Sequence, residues 1–130
     1  MVNTSKQSLL KKYAIVALVI LLACSCGNEK GAASRVKEFV RENVVNGNDI
    51  HNMTIVTVDT TKFINDSTIR SIRQVASQAH HWKKDIKYGD YRTGEKLIYV
   101  IMKYKLDNKD MNETFYLDET ALNIVGIKVN

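Results

Sequence analysis

The sequence predicts an α+β domain, with N-terminal amphipathic helices packed on a curved antiparallel sheet, and three observations carry that reading. Two stretches of the 130-residue chain place apolar residues at helical spacing, both before residue 82. In the last 45 or so residues the period drops to two, that of a strand whose alternate side chains face opposite sides of a sheet. Those alternating segments are separated by short polar turns, so neighbouring strands run antiparallel as a meander, and helices-then-strands is the α+β order.

An export segment precedes the domain. Lys6, Lys11 and Lys12 form a positive n-region, and Tyr13 to Ala23 follows without a charge, a proline or a glycine. The run is too short to span a bilayer, which takes roughly 20 apolar residues, and has the length of a secretory h-region, about 7–15. It ends in Leu21-Leu22-Ala23-Cys24, which resembles the bacterial lipobox, where a small residue precedes a cysteine that becomes lipidated as the signal is removed. Ala23-Cys24-Ser25-Cys26 offers a second register, but Leu21 fills the apolar slot for Cys24 better than Ala23 does for Cys26. An ordinary cleaved signal and an uncleaved anchor are the plainer readings. A Cys-x-Cys metal or redox pair lacks further cysteines to complete it.

The small, polar "GNEKGAAS" (27–34) reads as a tether, so the chain is divided into a lipoprotein signal peptide (1–23), a lipidated cysteine and flexible tether (24–33), and one domain (34–130). Two or more acyl chains, at about 0.8 kcal/mol per buried methylene, hold a protein on a bilayer without spanning it. The formal net charge of +5 falls to about +2 once three signal lysines leave, and no basic stripe remains, which argues against nucleic acid as a partner.

In the domain, Val36, Phe39, Val40 and Val44 make one face of a first helix, with Ser34 as its cap and Gly47 closing its end. "MTIVTVDTT" (53–61) is β-branched and reads as a strand. Asp66 or Ser67 caps a second helix to about His81, with Ile69, Ile72, Val75, Ala76 and Ala79 on its inner side. A strand through "IKYGDYRT" (86–93) is expected next. In "EKLIYVIMKYKLD" the set Ile98, Val100, Met102 and Tyr104 alternates with Leu97, Tyr99, Ile101 and Lys103; the first set is read as buried, the second as half covered at most. "DNKD" (107–110) turns, "NETFYLD" returns with Phe115 and Leu117 on one face, and "LNIVGIKV" closes the meander.

This succession of lipobox, tether, amphipathic helix and closing meander resembles the small secreted lipoproteins of Bacteroides and its relatives, often of cystatin-like or NTF2-like fold. The resemblance implies a location on the bacterial cell envelope, at the outer membrane or the periplasmic face of the inner one, and implies no particular activity. Asp59-Thr60-Thr61 and Asp66-Ser67-Thr68 are similar to the sites at which such bacteria attach O-glycans, which would make Thr60 and Ser67 acceptors.

Catalytic constellations are thin. There is no G-x-S-x-G, H-E-x-x-H, P-loop or dinucleotide fingerprint. His80 and His81 are adjacent, so on a helix they point about 100° apart and do not grip one metal from one face; His51 is distant in sequence. Asp107, Asp110, Asp118 and Glu119 fall in turns, where carboxylates bond their own backbone. Neither an enzyme nor a cofactor is expected. Tyr88, Tyr91, Tyr99, Tyr104 and Tyr116 crowd the sheet half, and cross-strand packing accounts for many such rings. Tyr99, Lys103 and Tyr116 are the candidates for a contact surface toward a protein or glycan, with Trp82 either a core anchor or a further binding residue. The expectation is thus a monomeric, lipid-anchored, non-catalytic binding or accessory module. A protein inhibitor, acting on a protease or a toxin, is the alternative by fold analogy alone.

Overall fold

The computed structural model describes residues 28–130. The export segment, Cys24 and Cys26 lie outside the described residues. The domain is α+β: two helices packed on an open four-strand antiparallel sheet in the order β1-β2-β3-β4. Helix α1 covers 28–43 of the described residues, a 3-10 turn spans Gly47–Asp49, and β1 (Ile50–Thr61), α2 (Asp66–Gln78), β2 (Leu97–Leu106), β3 (Lys109–Leu117) and β4 (Ile124–Val129) follow.

Helix α1 presents Ala32, Val36, Phe39 and Val40 at positions i, i+4, i+7 and i+8, all buried, and Val44 extends the stripe beyond the last turn. The helix is already formed at residues 28–33, where a flexible tether was expected, and Ser34 lies inside it rather than at its cap. Ala32 explains the difference: its burial continues the apolar stripe one turn earlier, and packing of that face outweighs the small, polar composition of the segment. At the other end Asn46, not Gly47, takes the left-handed conformation, with φ 64°. Gly47 serves close approach instead, because a Cβ there would stand 2.4 Å from the Arg41 carbonyl oxygen.

The strands pair antiparallel throughout, β2 with β3 in unbroken register and β3 with β4 through one shift between Tyr116 and Leu117. Val100 stands between Val58 and Phe115, and Phe115 pairs in turn with Ile127. Ile98, Val100, Met102, Tyr104, Phe115, Leu117 and Ile127 are buried as one face, and they meet Phe39, Val40 and Val44 of α1 in the main core. The β2–β3 connection is two residues long: Asp107 (φ 49°) and Asn108 (φ 68°) both adopt positive φ, the requirement of a type I′ hairpin turn that follows the strands' right-handed twist. Strand β1 begins at Ile50 and carries two irregularities, one beside Asn52 (φ 56°) and one at Val56, which is left exposed.

Helix α2 is capped by Asn65, whose side chain accepts from the Thr68 N–H at 2.8 Å, rather than by Asp66 or Ser67. It ends at Gln78. Ile69, Ile72, Arg73 and Ala76 face inward, while Val75 is turned to solvent. The helix lies across β4 on the sheet's second face. A Cβ on Gly126 would approach Ile72 Cδ1 to 2.7 Å, so the bare backbone there admits the helix. Leu97 and Val125 are consequently buried with Ile69 in a second, smaller cluster, so this end of the sheet is covered on both faces.

The expected strand at 86–93 does not form. The segment runs as irregular chain against the start of β4 and touches it through one backbone bond, Gly89 N–H to the Ile124 carbonyl at 2.8 Å. Arg73 occupies the surroundings that a strand would need: its Nε donates to the Val125 carbonyl at 2.7 Å and its Nη2 to the Gly89 carbonyl at 2.8 Å, with Tyr88 stacked on the guanidinium at 4.8 Å. Tyr88 and Tyr91 therefore belong to this covering segment and not to the sheet.

The β3–β4 connection is organised by Asp118. Its carboxylate accepts from Thr120 Oγ1 and Asn123 Nδ2, both at 2.6 Å, and Ala121 is held at φ 60°. Partial burial pushes this carboxyl up, but bonds from Thr120 and Asn123, with the backbone N–H groups of Asn123 and Leu122, outweigh it and hold the carboxyl below the usual range. A depressed folded value means the contribution is full above the unfolded aspartate value of about 3.9 and is lost as pH falls through the lower folded one. Asp118→Asn is accordingly expected to lower the urea midpoint at pH 6, and the gap to the parent should close as unfolding is repeated toward pH 2.

Candidate functional site

Two places hold side chains that an ordinary core does not require. The first begins with alternation along β3. Leu117 and Phe115 face the core, so the pleat turns Glu113 the same way, opposite Met102, and it is fully buried. A buried carboxylate is tolerated only with hydrogen-bond partners. Three side chains supply them: Tyr104 O–H donates to Oε1, Trp82 Nε1–H to Oε2 at 2.8 Å, and His81 Nε2 stands 3.0 Å from Oε2.

The chain path that brings these donors in follows from the ends of the two helices. After α1, Val44 pairs with Trp82 in an isolated antiparallel bridge, Val45 N–H bonding the His81 carbonyl at 2.8 Å and Lys83 N–H the Asn43 carbonyl at 2.9 Å. The bridge pins the segment just beyond α2 against the sheet. Trp82 then packs edge-on to Phe115, with ring centroids 6.0 Å apart, and tilted against Phe39 at 5.8 Å. Burial, followed by the charge and hydrogen bond of Glu113, pushes the Tyr104 hydroxyl far above the ordinary tyrosine range, so it remains a donor.

Trp82 Nε1–H is a donor only, so Oε2 accepts from it, and His81 Nε2 faces the same oxygen. His81 is 14% exposed where Glu113 is sealed. Its ring borders a cavity of about 490 Å³ between the turn after α1, the end of α2, the β2–β3 hairpin and Val129.

The second place is a strip of the sheet's second face that runs out from beneath α2, with Tyr116 packed against the Ile69, Leu97 and Val125 cluster at its inner end. Tyr99 and Tyr116 pair directly across β2 and β3 with ring centroids 6.5 Å apart, both half-buried. Burial, then the neighbouring Tyr99, pushes the Tyr116 hydroxyl up. Ile101 continues the strip, and Lys103 ends it, exposed, between Thr54 and Asn112.

The structure thus brings Tyr99, Tyr116 and Lys103 onto one face, as their alternation required. It removes Trp82 from the candidate surface: at 1% exposure the ring is core, and its only polar atom is spent on Glu113. Thr60, near the end of β1, and Ser67, in the first turn of α2, are both exposed. His51 is exposed on β1 and His80 on the cavity rim; among the described residues no group of three or more His, Cys, Asp or Glu side chains is gathered as a metal site. Also among the described residues, no helix is long and apolar enough to cross a membrane. The Glu113 cluster escaped the sequence reading, although the alternation Glu113, Phe115, Leu117 was a signal for it. No family model, curated protein or solved structure matches the chain.

Proposed function

We propose that the chain is a lipid-anchored binding module of the bacterial cell envelope, tethered through Cys24 and engaging a protein or glycan partner with the tyrosine strip of its sheet. The observation that carries this reading is the half-exposed Tyr99–Tyr116 pair, extended by Ile101 and Lys103 on a sheet face that α2 covers only at the β4 end. Rings with two side-chain torsions, flanked by an amphipathic lysine, give contact area at small entropic cost. The fold is read as a cystatin-like or NTF2-like variant, which the helix packed across an antiparallel meander supports.

The test joins anchor and surface. Cys24→Ala should abolish acyl labelling and membrane retention while Cys26→Ala leaves both, and an unmodified mature N-terminus by mass spectrometry ends the anchoring part of the reading. Tyr99→Ser with Tyr116→Ser should weaken capture from envelope extracts at least tenfold, with a thermal midpoint that drops only a few degrees. Equal capture by parent and double variant places the contact elsewhere.

A further inference from the structure

We propose that the cavity beside His81 binds a small neutral molecule with an apolar body and one hydroxyl, which bonds His81 Nδ1. The volume, about 490 Å³, lies within the roughly 300–1,000 Å³ of small-molecule sites. Its walls are hydrocarbon and thioether from Val45, Ala79, Leu106, Met111 and Val129, which suit an apolar body. Asp49, Asp107 and Lys109 stand exposed at its rim with both signs of charge, so neither an anion nor a cation is matched there.

The polar handle is His81. Its Nε2 is committed to Glu113, and Glu113 is itself fixed by Trp82 and Tyr104, so the ring position is set from behind. Nδ1 has no partner among the described residues, and it is not among the buried polar atoms left unsatisfied, so it is open to solvent. A hydroxyl both donates and accepts, so it meets the remaining ring nitrogen in either of that nitrogen's roles. His81 sits in the turn after α2, and the Val44–Trp82 bridge beside it pins that turn against the sheet, which gives the ring the fixed position that a selective site requires. This site shares no residue with the tyrosine strip, so the two stand or fall separately.

The experiment uses the full chain in lipid nanodiscs, ¹³C-labelled at Ala, Leu, Met and Val methyls. It is titrated with p-cresol and with 4-methylanisole, the same ring with a methyl ether in place of the hydroxyl, the free concentration of each being measured in the aqueous phase. Methyl signals of Ala79, Leu106, Met111 and Val129 should shift, and p-cresol should bind about tenfold tighter, the ratio expected of one buried hydrogen bond. His81→Phe should bring the ratio near one. Val129→Trp, which puts an indole into the cavity, should suppress the shifts for both compounds. Equal binding of the two compounds to the parent, absence of shifts at the cavity methyls, or a ratio that survives His81→Phe would overturn the assignment.

Discussion

Glu113→Ala is expected to lower the stability of the domain by about 3–5 kcal/mol, a large share of the roughly 5–15 kcal/mol that a domain of this size possesses. The substitution removes one side chain but strands three donors. Tyr104 O–H and Trp82 Nε1–H are shut in the core with no other acceptor among the described residues, and His81 loses the group that orients it. Each buried donor left unsatisfied costs about 1–3 kcal/mol, and relaxation of the emptied site recovers part of it. Urea unfolding followed by tryptophan fluorescence reads the result, since Trp82 is the sole tryptophan. Glu113→Gln preserves the shape but turns one oxygen into an N–H₂ that confronts a donor, so it should lose less than Ala and more than about 1 kcal/mol. A loss below that for both variants would mean that water reaches the cluster and replaces the carboxylate.

Trp82→Ala should cost a comparable amount, about 3–5 kcal/mol, for a different reason. Its ring fills the centre of an aromatic group with Phe39 and Phe115, and deleting it leaves a cavity that strands on one side and α1 on the other cannot close. Trp82→Phe separates volume from hydrogen bonding. It keeps most of the packing and removes one of three donors to Glu113, so a loss of about 1–2 kcal/mol is expected. Urea midpoints followed by far-ultraviolet circular dichroism give both numbers. If Ala costs no more than Phe, the indole is not the anchor that its burial indicates. Because Trp82 holds the segment that carries His81, Trp82→Ala should also abolish any p-cresol preference, whereas the tyrosine strip on the other face should keep its capture.

Much of the fold was legible because it rests on local periodicity. Val36, Phe39, Val40 and Val44 fall at helical spacing, and Ile98, Val100, Met102 and Tyr104 at the period of a strand; each set is buried as its pattern required. The meander followed from polar turns too short for any crossover, and Asp107-Asn108 makes the tightest of them. Where reading failed, a long-range partner had intervened. Residues 86–93 carry enough β-branched and aromatic character for a strand, yet Arg73, from a helix distant in sequence, takes the carbonyls of Gly89 and Val125. Val75, expected on the inner side of the helix, faces solvent, while Arg73 faces inward, since a guanidinium with carbonyl acceptors and the Tyr88 ring can be accommodated there.

The candidate sites divide along the same line. The sequence by itself determined the tyrosine strip, since alternation puts Tyr99, Ile101 and Lys103 on one side of β2 whatever the domain does around them. It also determined that Glu113 shares a face with Phe115 and Leu117, which follows from the pleat alone. Only the tertiary structure decided that this glutamate is sealed, and that Trp82 and His81, some thirty residues earlier, are its partners. The bridge between Val44 and Trp82 joins the ends of two helices in space, and no periodicity encodes where two helix ends meet. Burial of a carboxylate depends on whether donors from remote segments converge on it, so the site beside His81 is a property of the fold rather than of any stretch of the chain.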